Sequence, residues 1–319
     1  MSFYRDKLWL VAGGSGFIGT AITQALLAEG GRVRIPVHRR APIVQDPAIE
    51  TMSADLTCQE DCLRVMDGVD GVFHAAGAVS AAGVTTGRNP LAPITTNLIL
   101  TTQLFQAAWT AGVDRFMMFS SSTAYPVTAH PVREEELWDG PTHPSYFGYG
   151  WSRRYMERLA EFVAKQSKVK VAIVRPTAVY GPHDNFDPAT SHMIPALIRK
   201  AVERLNPFEI WGTGDEVRDN LHVEDLARGC LLALEKHAVA DPINIGLGQS
   251  ATVRETAEII LRAAGHTGAD LRFDASKPTT IPVRLVDISK ARRLLGFAPR
   301  YSLEDGLGQT VAWYRGHAG

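Results

Sequence analysis

The sequence predicts an α/β fold, a doubly wound parallel sheet with a smaller C-terminal lobe. Short apolar runs alternate with longer amphipathic stretches through the first half, the rhythm of a parallel sheet covered by helices. A glycine-rich turn, Gly13-Gly14-Ser15-Gly16-Phe17-Ile18-Gly19, follows the first apolar run and opens the first helical stretch. The length of 319 residues suffices for one large α/β unit or two modest lobes with a real core, so no metal or disulfide staple is needed.

Taken in order, Leu8–Ala12, Val33–Val37, Gly71–His74, Phe116–Ser120 and Val169–Val174 are the strand candidates, and a further apolar run precedes Ser53-Ala54-Asp55-Leu56. The amphipathic segments Gly16–Glu29, Thr96–Ala111 and Ser152–Ser167 lie between them. Pro36 counts against a central place for the second strand, because proline donates no ladder hydrogen bond. Beyond Arg175-Pro176 the rhythm changes. A Pro- and Gly-bearing stretch, Gly181 to Pro188, leads into an apolar helix near Ile194–Leu205, an inserted element on the ligand side. A last helix and strand, Asn220–Glu235 and Pro242–Ile245, are expected to return to the sheet. From about Ser250 the chain carries helices and a Pro-broken strand, Ile281–Val286, suited to a lid. The expected division is residues 1–175 with 216–247 in the sheet domain, and 176–215 with 248–319 in the second lobe. Ligands of such sheets bind beyond the carboxyl ends of the strands, in the cleft between the lobes.

Composition narrows the class. Lys and Arg total 33 against 34 Asp and Glu, a formal charge of −1, which argues against gripping nucleic acid or acidic membranes. With 45% hydrophobic and 21% charged residues, the chain is too apolar to stay disordered, and it shows no fixed repeat. No apolar run approaches the roughly 20 residues of a spanning helix. The start, MSFYRDKLWLVAGG, passes straight into the first strand, so no signal peptide or anchor is expected and the cytoplasm is the expected location. Cys58, Cys62 and Cys230 are odd in number and lack a second pair at zinc spacing, so inert reduced thiols are expected rather than a metal site.

Gly13, Gly16 and Gly19 have the spacing that allows a tight turn, close backbone approach to a pyrophosphate, and a helix N-terminus whose free N–H groups favour an anion. Either these are simply good turn residues, or the sheet domain is a dinucleotide-binding, Rossmann-type unit, the reading that the flanking strand and helix favour. The second strand ends His38-Arg39-Arg40 with no acid. An acid there selects a free ribose 2′-hydroxyl, whereas guanidiniums suit a 2′-phosphate, so NADP(H) is expected and NAD(H) stays open. The alternative is a solvated basic turn. Asp55 stands where it can accept from the adenine amino group, and Ala75-Ala76-Gly77 are small enough for close cofactor approach or close strand–helix packing.

Ser120-Ser121-Ser122-Thr123-Ala124-Tyr125-Pro126 closes one strand, and Tyr149-Gly150-Trp151-Ser152-Arg153 opens the next helix. Positions 149 and 153 are one helical turn apart, which puts the phenol and the cation on one face. A phenol is a poor acid–base group at neutral pH unless a cation supports phenolate, which is the reason for such a pairing. A serine hydroxyl at the strand end then shares the proton and orients a carbonyl.

On these residues the chain resembles the extended short-chain dehydrogenase/reductase family, the NAD(P)-dependent nucleotide-sugar epimerases, dehydratases and reductases. The matching pieces span nearly the whole length: Gly13 to Gly19, His74 to Gly77, Ser121 ahead of Tyr125, Tyr149 with its partner at 153, Arg175-Pro176-Thr177, Tyr180-Gly181-Pro182, and Arg218-Asp219-Asn220-Leu221-His222-Val223-Glu224-Asp225-Leu226-Ala227. Within that family it is most similar to the GDP-L-fucose synthase branch, through Tyr180 to Phe186, Ser191 to Arg199, and Trp211-Gly212-Thr213-Gly214. The resemblance implies Ser121 and Tyr149 as the hydrogen-bonding and proton-donating pair, Arg153 as their cation and His192 as an acid. It also implies cofactor contacts at Gly13, Ser15, Gly16, Phe17, Ile18, Gly19, Leu56, Pro176 and Thr177. Arg218 would meet a sugar-nucleotide diphosphate, with Ser122, Asn185, Arg199, Trp211 and Arg284 as further substrate contacts. A homodimer would pair through Thr96–Ala111 and Ser152–Ser167, with Trp109 and Tyr155 at that interface or in the core.

Two departures shape the expected activity. The family's lysine is Arg153 here, in a chain with 25 Arg against 8 Lys; the charge is kept, but an ammonium-mediated proton relay is not. Thr123 stands where the fucose synthases hold a cysteine base, and a threonine hydroxyl is far too weakly acidic to replace a thiolate. Nor does Ser122-Thr123 offer the Asp-Glu pair of the dehydratases. The expectation is an NADP(H)-dependent reductase of a nucleotide-activated 4-keto-6-deoxy-sugar, GDP- or dTDP-linked, without full 3,5-epimerisation. A nucleotide-sugar 4-epimerase with tightly bound NAD(P) and a non-catalytic NADP(H) sensor are the alternatives.

Overall fold

A computed structural model of the chain describes residues 2–78, 89–277 and 279–317. The first half runs β1 (Leu8–Ala12), α1 (Phe17–Ala28), β2 (Arg32–Val37), β3 (Ile49–Ser53), α2 (Gln59–Met66), β4 (Gly71–His74), α3 (Ala92–Ala111), β5 (Arg115–Phe119), α4 (Phe147–Gln166) and β6 (Lys170–Pro176). There follow β7 (Ala178–Tyr180), α5 (Met193–Val202), β8 (Phe208–Trp211), β9 (Val217–Arg218), β10 (Asn220–His222), α6 (Val223–Lys236) and β11 (Ile243–Ile245). The chain closes with β12 (Ala251–Thr252), α7 (Val253–Ala263), β13 (Leu271–Asp274), β14 (Val283–Arg284), α8 (Ser289–Leu295) and α9 (Leu303–His317).

Seven parallel strands form the main sheet in the order β11-β6-β5-β4-β1-β2-β3. The chain winds from β1 to one edge, then returns past it to the other, so the order reverses between β1 and β4, where such sheets open a ligand crevice. Both faces are covered. Trp9, Val11, Ile35 and Phe73 pack with residues of α1, α6 and α8, while Leu10, Val72, Phe116 and Met118 pack with residues of α2, α3 and α4. Burial on two faces is why β1 reads as an unbroken apolar run rather than an alternating one. A separate core, including Ile194, Ile198, Phe208, Ile210, Ile260 and Leu307, sits among α5, α7, α9 and β8.

The structure departs from the sequence pattern in places with physical reasons. Pro36 lies inside β2, between β1 and β3. Arg32 donates to the Lys7 carbonyl on the β1 side, and alternation turns the Pro36 nitrogen to that same side, beyond the last β1–β2 pair, Leu10↔Arg34. The Val11 carbonyl is already taken by the Gly14 N–H at 3.0 Å, so no donor is missed. The expected helix Asn220–Glu235 begins as a strand, because Asn220–His222 pairs with Ala178–Tyr180; His222 Nδ1 then caps α6 by accepting from the Glu224 N–H at 3.4 Å. Of the expected strand Ile281–Val286, Val283–Arg284 pairs with β9 and Val286 forms a lone parallel bridge with Val132. Among the described residues no helix is long and apolar enough to cross a membrane, and no group of three or more His, Cys, Asp or Glu is placed to hold a metal.

Candidate active site

The turn between β1 and α1 is built on backbone contacts. Gly16 N–H donates to the Gly13 carbonyl at 2.9 Å, and Gly13 takes φ +86°, where a Cβ would stand 2.6 Å from the Ala76 nitrogen. A Cβ on Gly19 would stand 2.0 Å from the Gly13 carbonyl oxygen, so α1 seats on the turn only with a bare residue there. Gly16 differs: a Cβ would meet only the Gly13 oxygen, at 3.3 Å. The fold itself therefore needs Gly13 and Gly19 but not Gly16, whose open backbone lies at an α1 N-terminus without a side-chain cap or an acid in its first turn. Phe17 and Ile18 form that turn, both half-buried against the sheet core. Ser15 Oγ is buried beside it without a partner. Bare N–H groups and an orphaned hydroxyl at a helix N-terminus invite an anion.

His38, Arg39 and Arg40 are exposed at the end of β2, with His38 Nε2 3.9 Å from Asp55 Oδ2. Asp55 has local work. Its Oδ1 accepts from the Thr57 N–H at 2.9 Å and the Thr57 hydroxyl at 2.7 Å, which holds the carboxyl below its usual range. Leu56 is buried in the sheet core. Ala75 donates to the Ala12 carbonyl at 2.8 Å, and the Ala75-Ala76 backbone is what presses on Gly13. Asn97, absent from the sequence-based candidates, holds the following loop: Oδ1 accepts from the Ala78 N–H at 2.8 Å and Nδ2 donates to the Ala78 carbonyl at 2.9 Å. It also crowds Gly77, where a Cβ would lie 2.9 Å from Asn97 Oδ1. Nothing in the sequence singles Asn97 out, since α3 carries Thr95, Thr96, Thr101, Thr102 and Gln103 around it.

His74 is fully enclosed under this site. Thr101 donates to the Asn97 carbonyl at 2.8 Å, so its oxygen accepts from His74 Nε2 at 3.0 Å, which fixes the tautomer. Burial, and then the Arg153 charge, push the His74 pKa down to about 3, and the imidazole is neutral.

The chemical end joins the turn after β5 to the first turn of α4. Ser121 Oγ accepts from the Thr123 N–H at 3.1 Å and lies 2.8 Å from Thr123 Oγ1; Ser122 is buried between them. Arg153 Nη2 donates to the Tyr149 hydroxyl at 2.8 Å, and its Nη1 donates to the Phe119 carbonyl at 3.0 Å, tying α4 to the end of β5. Gly150 permits the close approach, since a Cβ there would lie 2.9 Å from the Thr123 carbonyl oxygen. Arg153 Nε is buried without a partner. Pro176 ends β6, and the Thr177 hydroxyl donates to Asp219 Oδ1 at 3.2 Å. Asp219 also accepts from the N–H groups of Leu247 and Gly248 at 2.8 and 2.9 Å, while burial pushes its pKa up to about 6.

On the lobe side, Arg218 and Arg284 are direct partners across paired strands. Burial, then the Arg284 charge, pull the Arg218 pKa down to about 10, while its Nη1 donates to the Val217 and Pro282 carbonyls at 2.9 and 3.1 Å. His192 caps α5. Its side chain reaches solvent, yet the protein around it, then Arg284, lower its pKa. Arg199 and Asn185 are occupied locally: Arg199 Nη1 pairs with Glu203 at 2.6 Å, and Asn185 Nδ2 donates to Thr190 at 2.9 Å. Trp211 is half exposed at the end of β8, its Nε1 donating to Glu209 at 3.2 Å.

A doubly wound sheet with an open glycine turn at β1, and a serine, a tyrosine and a cation beyond β5, defines an NAD(P)-dependent enzyme of the short-chain dehydrogenase/reductase type. The chain matches the NAD dependent epimerase/dehydratase family over residues 9–246 and belongs to that family. It is 33% identical to GDP-L-fucose synthase 1 of Arabidopsis thaliana, with 95% of this chain and 92% of the relative covered. It is 29% identical to a dTDP-4-dehydro-6-deoxy-D-allose reductase of Streptomyces, over 98% of each. UDP-glucose 4-epimerase of Thermotoga maritima, solved with UDP-glucose, superposes with a TM-score of 0.87 at 26% identity, covering 98% of this chain and 100% of the other. The residues present fit the family's dinucleotide: the bare Gly16 backbone and orphaned Ser15 Oγ would hold the pyrophosphate, and Arg153 Nε is a buried donor left over beside Tyr149.

Proposed function

We propose that this protein is an NADP(H)-dependent reductase of a nucleotide-activated 4-keto-6-deoxy-sugar, GDP- or dTDP-linked, that lacks the full 3,5-epimerisation. The observation that carries this is the donor set: the Tyr149 phenol held by Arg153 at 2.8 Å on α4, and the Ser121–Thr123 hydroxyl pair, also at 2.8 Å, on the turn against which α4 packs at Gly150. It supplies a proton for a carbonyl oxygen, a hydroxyl to orient it and a fixed cation, but no thiol or carboxylate to strip protons beside the ketone. A bound nicotinamide supplies the hydride that reduces the ketone carbon. Tyr149 gives its phenolic proton to the carbonyl oxygen, Ser121 donates a hydrogen bond to that oxygen, and Arg153 stabilises the negative charge left on Tyr149. Arg39 and Arg40 favour the 2′-phosphate of NADP(H), and Arg218 with Arg284 favours a diphosphate. The relatives' names support both nucleotides, as a GDP-L-fucose synthase and a dTDP-sugar reductase. Exposed aromatics on α3 and α4 support a homodimer, and the free thiols support a cytoplasmic location.

Likeness to the UDP-glucose 4-epimerase supports a second reading, epimerisation with retained cofactor. The experiment follows NADPH oxidation with GDP- and dTDP-4-keto-6-deoxy-hexoses, with product analysis. Net NADPH consumption that falls roughly 10²–10⁴-fold in Tyr149→Phe is expected. Isomerised sugar without net redox replaces the reductase with the epimerase, and tight NADPH binding without turnover of any sugar replaces both with a sensor.

A further inference from the structure

The buried charges behind the Ser121 turn take no part in the chemistry above. Arg175, in β6, is 3% exposed; its Nε and Nη2 donate to the two oxygens of Glu157 at 2.8 and 2.7 Å. Its Nη1 donates to the Tyr125 oxygen at 2.7 Å and to the Glu134 carbonyl at 2.8 Å. The Tyr125 hydroxyl donates in turn to Asn244 Oδ1 on β11 at 2.7 Å. Asn244 Nδ2 reaches the carbonyls of Val132 and Asp287 at 3.0 and 3.1 Å, and its N–H donates to Glu134 Oε1 at 2.8 Å.

Stability alone does not account for this arrangement, because a buried ion pair is often no better than a well-packed apolar pair of the same volume. Its placement does. Tyr125 closes the turn that carries Ser121 and Thr123. Glu157 lies on α4 one turn beyond Arg153 and two beyond Tyr149, on the same face. Arg175 therefore bonds both the serine turn and the tyrosine helix from the adjacent strand β6. Arg154 adds a second tie, its Nε donating to the Ala124 carbonyl at 2.8 Å.

We infer that Arg175 is a positioning residue: bonded to Glu157 on α4 and to Tyr125 on the turn, it sets the separation of the Ser121 hydroxyl from the Tyr149 phenol. The inference rests on the reading of Ser121 and Tyr149 as the reacting pair. Its test uses two variants of the full chain. Tyr125→Phe removes the hydroxyl that joins Arg175 to the turn and keeps the ring, while Glu157→Leu with Arg175→Met removes both charges together and leaves neither unpaired. Each is assayed for kcat and KM with the keto-sugar, for the Kd of NADPH, and for amide exchange of the segment 119–126. Expected is a kcat loss reaching about a hundredfold in the double variant, as a misplacement near 1 Å produces, with KM and the NADPH Kd close to native. Exchange of the turn should quicken while β1 and β4 stay protected. Native kcat in both variants overturns the inference, as does a loss that only tracks weaker NADPH binding. If the double variant does not fold, Tyr125→Phe decides by the same criteria. If the native protein reduces no keto-sugar, the reductase reading fails by itself. The exchange measurement then decides alone: unchanged turn exchange overturns the positioning role, and faster exchange confined to the turn supports it.

Discussion

The guanidinium of Arg153 donates at once to the Tyr149 hydroxyl and the Phe119 carbonyl, at 2.8 and 3.0 Å. A planar fork does this from one rotamer; an ammonium on a flexible stem has to be steered there. Arg153→Lys should therefore keep the charge and part of the rate, whereas Arg153→Met should cost roughly 10²–10³-fold in kcat with the protein still folded. Steady-state kinetics on the two variants separates charge from shape, and equal losses in both would mean that the fork, not the charge, is what matters. Asp184 makes a different prediction. Burial pushes its pKa up to about 7, its Oδ1 accepts from the Asn185 N–H at 2.7 Å, and its Oδ2 is buried without a partner. A carboxyl whose folded pKa is raised holds its proton more tightly in the native state. The stability it contributes is whole below the unfolded value of 3.8 and is lost as pH climbs through about 7. Asp184→Asn should then melt about 2–4 °C above native near pH 8, with the gap narrowing near pH 5. Thermal melts at the two pH values check this, and a gap independent of pH would refute it.

At the scale of elements, the glycine turn separates folding from binding. Gly16 has φ −99°, open to any residue, and a Cβ there would meet only one atom, at 3.3 Å. Gly16→Ala should leave the melting temperature of the free protein nearly unchanged and abolish most of the rise that NADPH produces, because the methyl fills the space a pyrophosphate needs. Gly19→Ala, with its Cβ 2.0 Å from the Gly13 oxygen, should lower the free protein's own melting temperature. Differential scanning with and without NADPH distinguishes the two, and a normal NADPH-induced rise in Gly16→Ala would refute the assignment of that cradle. The same turn explains what the sequence revealed. Apolar runs such as Leu8–Ala12 are legible because a parallel sheet is buried on both faces, and the 149/153 spacing is legible because a helix repeats every turn. β3 is an edge strand, mostly exposed, and so has little apolar signal. Asn220–His222 reads as helix because nothing local announces its pairing with β7. The Asn97 clamp, the His74–Thr101 contact and the Arg175–Glu157 pair were invisible for that reason too: each joins residues that only tertiary register brings together.

For the whole molecule, the outer faces of α3 and α4 set the problem. Phe147, Trp151 and Tyr155 recur every turn along α4, 64%, 41% and 59% exposed, with Phe162 at 54% further on and Trp109 at 42% on α3. Between the two helices an apolar groove of about 310 Å³ is lined by Phe105, Trp109, Leu159 and Phe162. So many large aromatics on one contiguous face are unusual for a monomer, and a formal charge of −1 gives little repulsion to keep copies apart. A second copy presenting the same two helices about a twofold axis would cover both faces at once, because such an interface is self-complementary. Sedimentation should find the native protein dimeric at micromolar concentration, and Trp109→Asp with Phe162→Asp should shift it to monomer, since each subunit would bring two carboxylates into an apolar seam. The substituted side chains lie on the outer faces of α3 and α4, whereas the Tyr149–Arg153 contact faces β5. The monomer should therefore still bind NADPH. A native protein that sediments as a monomer would remove this role for the aromatic face, and a double variant that stays dimeric would move the seam to another surface.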